Sequence, residues 1–451
     1  MKVTILGACP GKSGGSGFSA SGNLLQTEQG VTMVVDYGIG YERLKDSSGN
    51  TQRAVTPKSV SNLEKIDYIL LTHRHNDHSG MVPWLMKKFP KATLITTLPT
   101  FHFLGSSWSD LARMARIFDY PGLVPYDIAL HEDIRKRTIL VTRPGWMHLE
   151  RGVRVYFNSN GHTRGSAYIV VEADGKRVGF SGDVSTSDTP TLAGMSPWNV
   201  PPEIRGLDLL FLESTHGNRN IEPRHLVVDY MNDVVKHTLR RGGLSLAIAL
   251  GGDRAIDIAL DQAQSGIKPC LDGGLPGHAW EVYHSPEGYW CPNDVRINPE
   301  LSERVTPLFE RNNALESMLR SGNAYSVVAS AGSLQGGQSV KWAEKILPDH
   351  RSLILQCNFQ FEGTPGAELE KLDRGEILML KGKPVQVNCD VVRVEASAHA
   401  GANQLLRVAS WFDARRIALY HGSWHSRSTL RGRLAKRYET SIPLNNDVID
   451  I

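Results

Sequence analysis

Cysteine is scarce: Cys9, Cys270, Cys291, Cys357 and Cys389 are the only five in 451 residues, and no two form a CxxC pair. That spacing excludes a disulfide framework and a thiolate zinc site. A dominant charge is lacking as well, since 50 Lys and Arg against 47 Asp and Glu leave a net charge of +3. A histone-like or tail-driven nucleic-acid binder would be far more lopsided, although an enzyme that gathers its basic residues on one face remains open. No apolar run approaches the ~18 residues of a membrane-spanning helix. The start, Met1–Gly7, has no charged leader followed by an apolar stretch. A cytoplasmic, reduced chain with no membrane partner is expected. The remaining composition, 41% hydrophobic and 22% charged, is that of a globular protein. Its length suits two or three domains of roughly 150 residues.

Short apolar runs bounded by Gly, Asn and Asp fill the first part of the chain. They are Val3–Leu6, Thr32–Val35, Tyr68–Leu71, Val153–Phe157, Tyr168–Val171, Val178–Phe180 and Leu207–Leu212. They are too short for helices and rich in β-branched residues, so they predict strands. Met81–Phe89 and Leu104–Phe118 predict helices between them, and the mixture predicts a layered α/β unit. From about Ser214 helical patterns (Arg224–Arg241, Arg254–Ser265, Ala314–Leu319) alternate with buried-strand candidates Leu244–Leu250, Tyr325–Ala329 and Leu353–Gln356. A second βα domain is expected there. Strand texture returns at Val391–Glu395 and Arg416–Tyr420, ahead of a helix near Thr429–Tyr438. The stretch Gly7–Ser13, GACPGKS, is one residue short of a phosphate loop and runs into Gly and Ser rather than into a helix. No nucleotide site is expected there.

The strongest chemical signal is LLTHRHNDHSG, with His73, His75, Asp77 and His78 directly after a strand. Imidazoles and a carboxylate are the ligands of zinc-type ions, which need three or four donors converging. His162 (NSNGHTRGS), Asp183 (FSGDVS) and His421 (LYHGS) follow other strands. Each alone reads equally well as a turn residue. Together with the first cluster they suit two metals sharing a carboxylate, an arrangement that serves in-line displacement at phosphorus.

These motifs resemble the metallo-β-lactamase superfamily, whose fold is an αβ/βα sandwich with metals at one edge. Asp36 in VVDYG matches the family's first-motif Asp, which orients the site from behind the ligands. Glu213 in FLESTHG, His399 in SAHAG and His421 in YHGS resemble motifs A, B and C of the β-CASP nucleases, which insert an α/β domain into that fold. ALGGDRAIDIAL around Arg254, VVASAGSLQGGQ (Val327–Gln338) and FEGTPG (Phe361–Gly366) are similar to the insert of that family. The resemblance implies a lactamase domain from 1–213 and 394–451, interrupted by a β-CASP domain at 214–393. It implies two Zn2+ per chain, one on His73, His75 and His162, the other on Asp77, His78 and His421, with Asp183 bridging. Asp77, Glu213 and His399 would form the catalytic set, His399 protonating the leaving 3′-oxygen and Glu213 orienting it.

The same resemblance points to single-stranded RNA, because His at motif C is similar to RNA-processing members whereas DNA-repair members usually carry Val. A zinc-dependent ribonuclease is the leading expectation. A DNA nuclease, another phosphodiesterase or a non-catalytic scaffold subunit are the alternatives, and a homodimer or larger processing complex is open. The chain resembles the core of the pre-mRNA cleavage endonuclease, without the C-terminal extension of ribonuclease J or a preceding KH-type extension. Between Leu405 and Arg437 eight basic residues (Arg407, Arg415, Arg416, Arg427, Arg431, Arg433, Lys436, Arg437) face one acid, Asp413. They read either as a backbone-gripping patch or as a solvated helix face. The aromatic stretch His278–Asn298 reads as core packing or as a specificity element.

Overall fold

The computed structural model describes residues 1–7, 20–46, 49–118, 127–309, 314–360 and 362–451. Residues 8–13 of the GACPGKS stretch, including Cys9, and Phe361 of FEGTPG lie outside the described residues, as do residues 119–126.

Two seven-stranded sheets lie face to face. The first runs Val448–Asp450, Lys2–Gly7, Gly22–Gln26, Thr32–Tyr37, Tyr68–Leu70, Thr93–Thr97, Thr138–Val141 across the sheet. The second runs Glu439–Ser441, Arg416–Tyr420, Leu209–Glu213, Lys176–Phe180, Ala167–Ala173, Arg154–Ser159, Gly145–His148. Val3, Ile5, Leu25, Met33, Val35 and Leu70 of one sheet meet Val155, Phe157, Ile169, Phe180 and Phe211 of the other in the central core. The outer face of the first sheet is covered by helices Val82–Lys88 and Leu98–Phe118, through Leu85, Met86, Leu104 and Trp108. Ala402–Phe412 and Trp424–Leu434 cover the second through Leu405, Val408, Phe412 and Leu430. This is a four-layered α/β sandwich. Its inner strands are buried on both faces, so they read in the sequence as continuous apolar runs rather than alternating ones.

A third sheet, six-stranded and parallel, is built from Thr306–Pro307, Pro269–Asp272, Ser326–Ala329, Ser245–Ile248, Leu353–Gln356 and Asp390–Arg393 in that spatial order. Helices Arg224–Arg240 and Gly251–Gln264 pack on one face and Gly337–Ile346 on the other. All its strands come from between Glu213 and Val394, after which the chain returns to lay Arg416–Tyr420 parallel to Leu209–Glu213. Among the described residues no helix is long and apolar enough to cross a membrane.

Two local expectations are corrected, and one open alternative is decided. The last long helix spans Trp424–Leu434, not Thr429–Tyr438, because the Ser423 side chain caps its first turn at Ser426 N, 3.0 Å away. The candidate strand Leu244–Leu250 narrows to Ser245–Ile248, and Leu250 becomes the residue before a helix that starts at Gly251, three residues earlier than Arg254. The segment His278–Asn298 behaves as packing material: Trp290 enters the central core and Asn293 bonds to Ala193 and Asn199.

Candidate metal centre

Parallel strands deliver their following loops to the same edge, and the neighbours Lys176–Phe180, Leu209–Glu213 and Arg416–Tyr420 are parallel in register. Asp183, Glu213 and His421 follow or end these strands and therefore stand side by side. Arg154–Ser159 lies two antiparallel steps away and points the same way, which brings His162 to that edge. From the facing sheet, Thr32–Tyr37 and Tyr68–Leu70 run parallel and supply Asp36 and the loop His73–His78. Strand carboxyl ends thus converge from both sheets, where open α/β folds commonly bind ligands.

The structure brings every predicted donor together. His73 Nε2 and His162 Nε2 each lie 3.1 Å from His75 Nδ1, and both lie 3.5 Å from Asp183 Oδ2. Ligands roughly 2.0–2.2 Å from a tetrahedral zinc stand roughly 3.3–3.6 Å apart, so this set has the right size. In a second set His421 Nε2 is 3.1 Å from Asp77 Oδ2, and His78 Nε2 is 3.4 Å from Asp183 Oδ1. Asp183 belongs to both groups and carries one oxygen toward each. Its Oδ1 is buried and accepts no hydrogen bond among the described residues. A buried carboxylate oxygen left without a donor is costly, and a cation at this position would satisfy it. The residues fit a metal.

The outer nitrogens of the rings are occupied in the manner usual for ligating histidines. His78 Nδ1 meets Asp36 Oδ2 at 2.8 Å, and His73 Nδ1 meets Thr72 Oγ1 at 3.1 Å, itself donating to Asp36 at 2.8 Å. His162 Nδ1 faces the Ala398 carbonyl at 3.0 Å and His421 Nδ1 faces Thr215 Oγ1 at 2.9 Å. Asp36 and His421 both sit at positive φ, 55° and 48°. Such backbone is uncommon outside glycine and clusters at functional sites.

Burial holds His73 and His162 well below the ordinary imidazole range, and burial followed by the Arg74 charge takes His75 to about 4. These three rings are neutral, which is the ligand form. Burial would lower His78 and His421 too, but Asp183 with Asp36 raises the first and Asp183 with Asp77 raises the second. Asp183 itself is pulled well below the usual carboxylate range, against its burial, by His421, His78 and His399.

Beside this cluster lies a separate acid pair. His399 Nδ1 is 3.2 and 3.3 Å from the two oxygens of the buried Glu213. Glu213 is fixed by the backbone amides of Val184 (2.7 Å) and Thr215 (3.1 Å). Against burial, the Glu213 and Asp183 carboxylates push His399 up to about 9, and His399 in turn lowers Glu213. His216, within the FLESTHG motif, bonds through Nε2 to Ser397 Oγ (2.9 Å), and the same oxygen accepts from His399 N (3.1 Å). Only its place within the motif hinted at this. Of the basic segment, Arg407, Arg415, Arg431, Lys436 and Arg437 are exposed. Arg427 is not: it is fully buried with its guanidinium 5.5 Å from the Trp424 ring centre, which removes it from any surface patch.

Residues 21–207 match the profile of the metallo-beta-lactamase superfamily, and residues 384–443 match that of the Zn-dependent metallo-hydrolase RNA specificity domain. The chain is 27% identical to an RNase J-like protein of Methanocaldococcus jannaschii, over 76% of this chain and 78% of that one. It is 26% identical to transcription termination factor FttA of Thermococcus kodakarensis (94% and 68% covered). With a ribonuclease of Thermus thermophilus it shares 24% identity (97% and 96% covered). A crystal structure of an Enterococcus faecalis protein of unknown function shares the fold at TM-score 0.63 and 15% identity, covering 100% of this chain and 99% of that one. The chain thus carries a metallo-beta-lactamase domain and a metallo-hydrolase RNA specificity domain, a pairing consistent with the β-CASP nucleases.

Proposed function

We propose that this protein is a metal-dependent ribonuclease that hydrolyses phosphodiester bonds of single-stranded RNA, with residues 214–393 inserted as a β-CASP domain between the two parts of the lactamase fold. The observation that carries the reading is the Glu213–His399 pair, whose imidazole stands with Asp183 and His421 in one group of donor atoms within 4.8 Å. A plain ester hydrolase has no need of a second acid, charged at neutral pH, there. The names of the relatives and the RNA specificity domain, which contains both His399 and His421, favour RNA.

His73, His75 and His162 would hold one zinc and Asp77, His78 and His421 the other, with Asp183 between them. Zinc supplies Lewis acidity when bound, polarising a phosphoryl oxygen and lowering the pKa of water. The remaining work falls to the chain. His399, charged at neutral pH, holds a proton on Nε2 for the leaving 3′-oxygen. Glu213 holds Nδ1 and so fixes both tautomer and direction, while Asp36 keeps His78 turned inward. End-labelled single-stranded RNA and DNA, incubated with the full chain with and without chelator, test this. Chelator-sensitive cleavage of RNA is expected; no cleavage of either polymer by zinc-loaded protein overturns the reading.

A further inference from the structure

Two histidine loops of the metal centre, those bearing His73–His78 and His162, each carry an arginine, and both arginines leave the centre for the parallel-sheet lobe. Arg74 stands between His73 and His75, is buried, and pairs with Asp253 on helix Gly251–Gln264. Arg164, two residues after His162, is fully buried and donates to the carbonyls of Thr191 (2.6 Å) and Val295 (2.7 Å). Its guanidinium lies 4.1 Å from the ring centre of Tyr283, the stacking distance of a cation–π contact. Tyr283 closes the path, because its hydroxyl donates to Asp253 Oδ1 at 2.5 Å. The neighbouring Arg254 reaches back to the His162 carbonyl at 3.2 Å. Arg74, Asp253, Tyr283 and Arg164 therefore form one continuous chain between the loop bearing His75 and the loop bearing His162.

That chain matters most for His75. Four of the five clustered imidazoles have a partner on the outer nitrogen, namely Thr72, Asp36, Ala398 and Thr215. Among the described residues His75 has none; its Nδ1 faces His73 and His162, whose rings it meets edge-on at 4.8 and 4.9 Å. Where no hydrogen bond to the ring sets its direction, the backbone must, and the adjacent Arg74 anchors that backbone to Asp253. The Asp253 carboxyl is held low by Arg74, against its burial, so the anchor is an ion pair. We propose that Asp253 and Tyr283 are positioning residues for the His73–His75–His162 donor group, so that the parallel-sheet lobe forms part of the metal-holding apparatus. This rests on the reading of the cluster as a metal centre.

The test uses the full chain carrying Tyr283→Phe, Asp253→Asn or Asp253→Glu, titrated with cobalt, whose visible spectrum reports ligand geometry, and with zinc against a competing chelator. Tyr283→Phe removes one oxygen and leaves the ring over Arg164, so it stays informative if Asp253→Asn, which strands a buried charge, fails to fold. Removing groups that orient metal ligands typically weakens binding about 10–100-fold. That loss is expected for one of the two ions in Tyr283→Phe and Asp253→Asn, with an altered cobalt spectrum and partial recovery in Asp253→Glu. Thr215→Val, which frees the outer nitrogen of His421, weakens the other ion instead. Wild-type affinity and spectrum in folded Tyr283→Phe overturn the proposal, even if the metal-free protein melts lower, since that is a structural effect alone. If wild type takes up neither metal, the metal-centre reading itself fails, a result the variants cannot mimic.

Discussion

His399 keeps its proton because the buried Glu213 carboxylate lies against its Nδ1, and its ring stands 4.7 Å and 5.8 Å from those of His162 and His421. If it is the general acid, His399→Ala slows RNA cleavage roughly 10²–10⁴-fold, the usual contribution of a positioned proton donor. Metal content and RNA binding stay near wild type, as elemental analysis and a binding isotherm will show. An acid works only while protonated, so activity falls as pH rises through the His399 pKa, about 9 in the metal-free protein. Glu213 raises that value, so Glu213→Gln moves the alkaline limb of the pH–rate profile to lower pH. An unmoved limb would detach Glu213 from this step. The double variant is little worse than the slower single one, since the two act as a unit. At this scale the sequence was most legible, because metal donors come from a short list of residue types at telling spacings. What it hid were the partners without a chemical signature: the Ala398 carbonyl, the Thr215 hydroxyl, and Arg74, whose value depends on an Asp 179 positions away.

Elements place these residues by where they stop. Thr32–Tyr37 ends at Gly38, whose backbone passes so close to the His73–His78 loop that an added Cβ would lie 1.8 Å from the Asp77 carbonyl oxygen and 2.5 Å from His78 N. The same carbonyl accepts from Ser21 N at 2.8 Å. Gly38→Ala must therefore displace the turn that presents Asp77 and His78. Overpacking of this kind costs about 1–3 kcal/mol, measurable in denaturant, and zinc uptake by the Asp77–His78–His421 group falls with it. Retention of full zinc affinity would mean that the turn tolerates a shift the contacts deny. Strand existence was readable from apolar runs, whereas helix starts were not: Ser423 and Gly251 begin helices earlier than the apolar pattern does, because capping and turn chemistry fix the first turn. The buried Arg427 was misread for a related reason, since a stripe of like charges along a chain does not say which member faces inward.

On the scale of the whole molecule, the metal centre joins residues that are far apart in sequence: Asp77 meets His421 across 344 positions and His162 meets the Ala398 carbonyl across 236. No local pattern sets the distance between them; the parallel pairing of Leu209–Glu213 with Arg416–Tyr420 brings the return segment to the first half. A cation held by both segments binds the folded chain and not the unfolded one, so zinc stabilises the protein by mass action, about 2.7 kcal/mol per site at a hundredfold excess over Kd. Melting curves at fixed protein concentration, with chelator and with graded zinc, read this directly. Wild type gains stability from both groups. His162→Ala loses one donor of the first group and keeps the response of the Asp77–His78–His421 group. Asp183→Ala loses the carboxylate common to both and responds least. His421→Ala shows the same partial loss as His162→Ala but from the opposite side, because it unties the return segment. Equal zinc responses in Asp183→Ala and His162→Ala would mean that Asp183 is not shared, and no more than one tightly held ion in fully loaded wild type would exclude a two-metal centre.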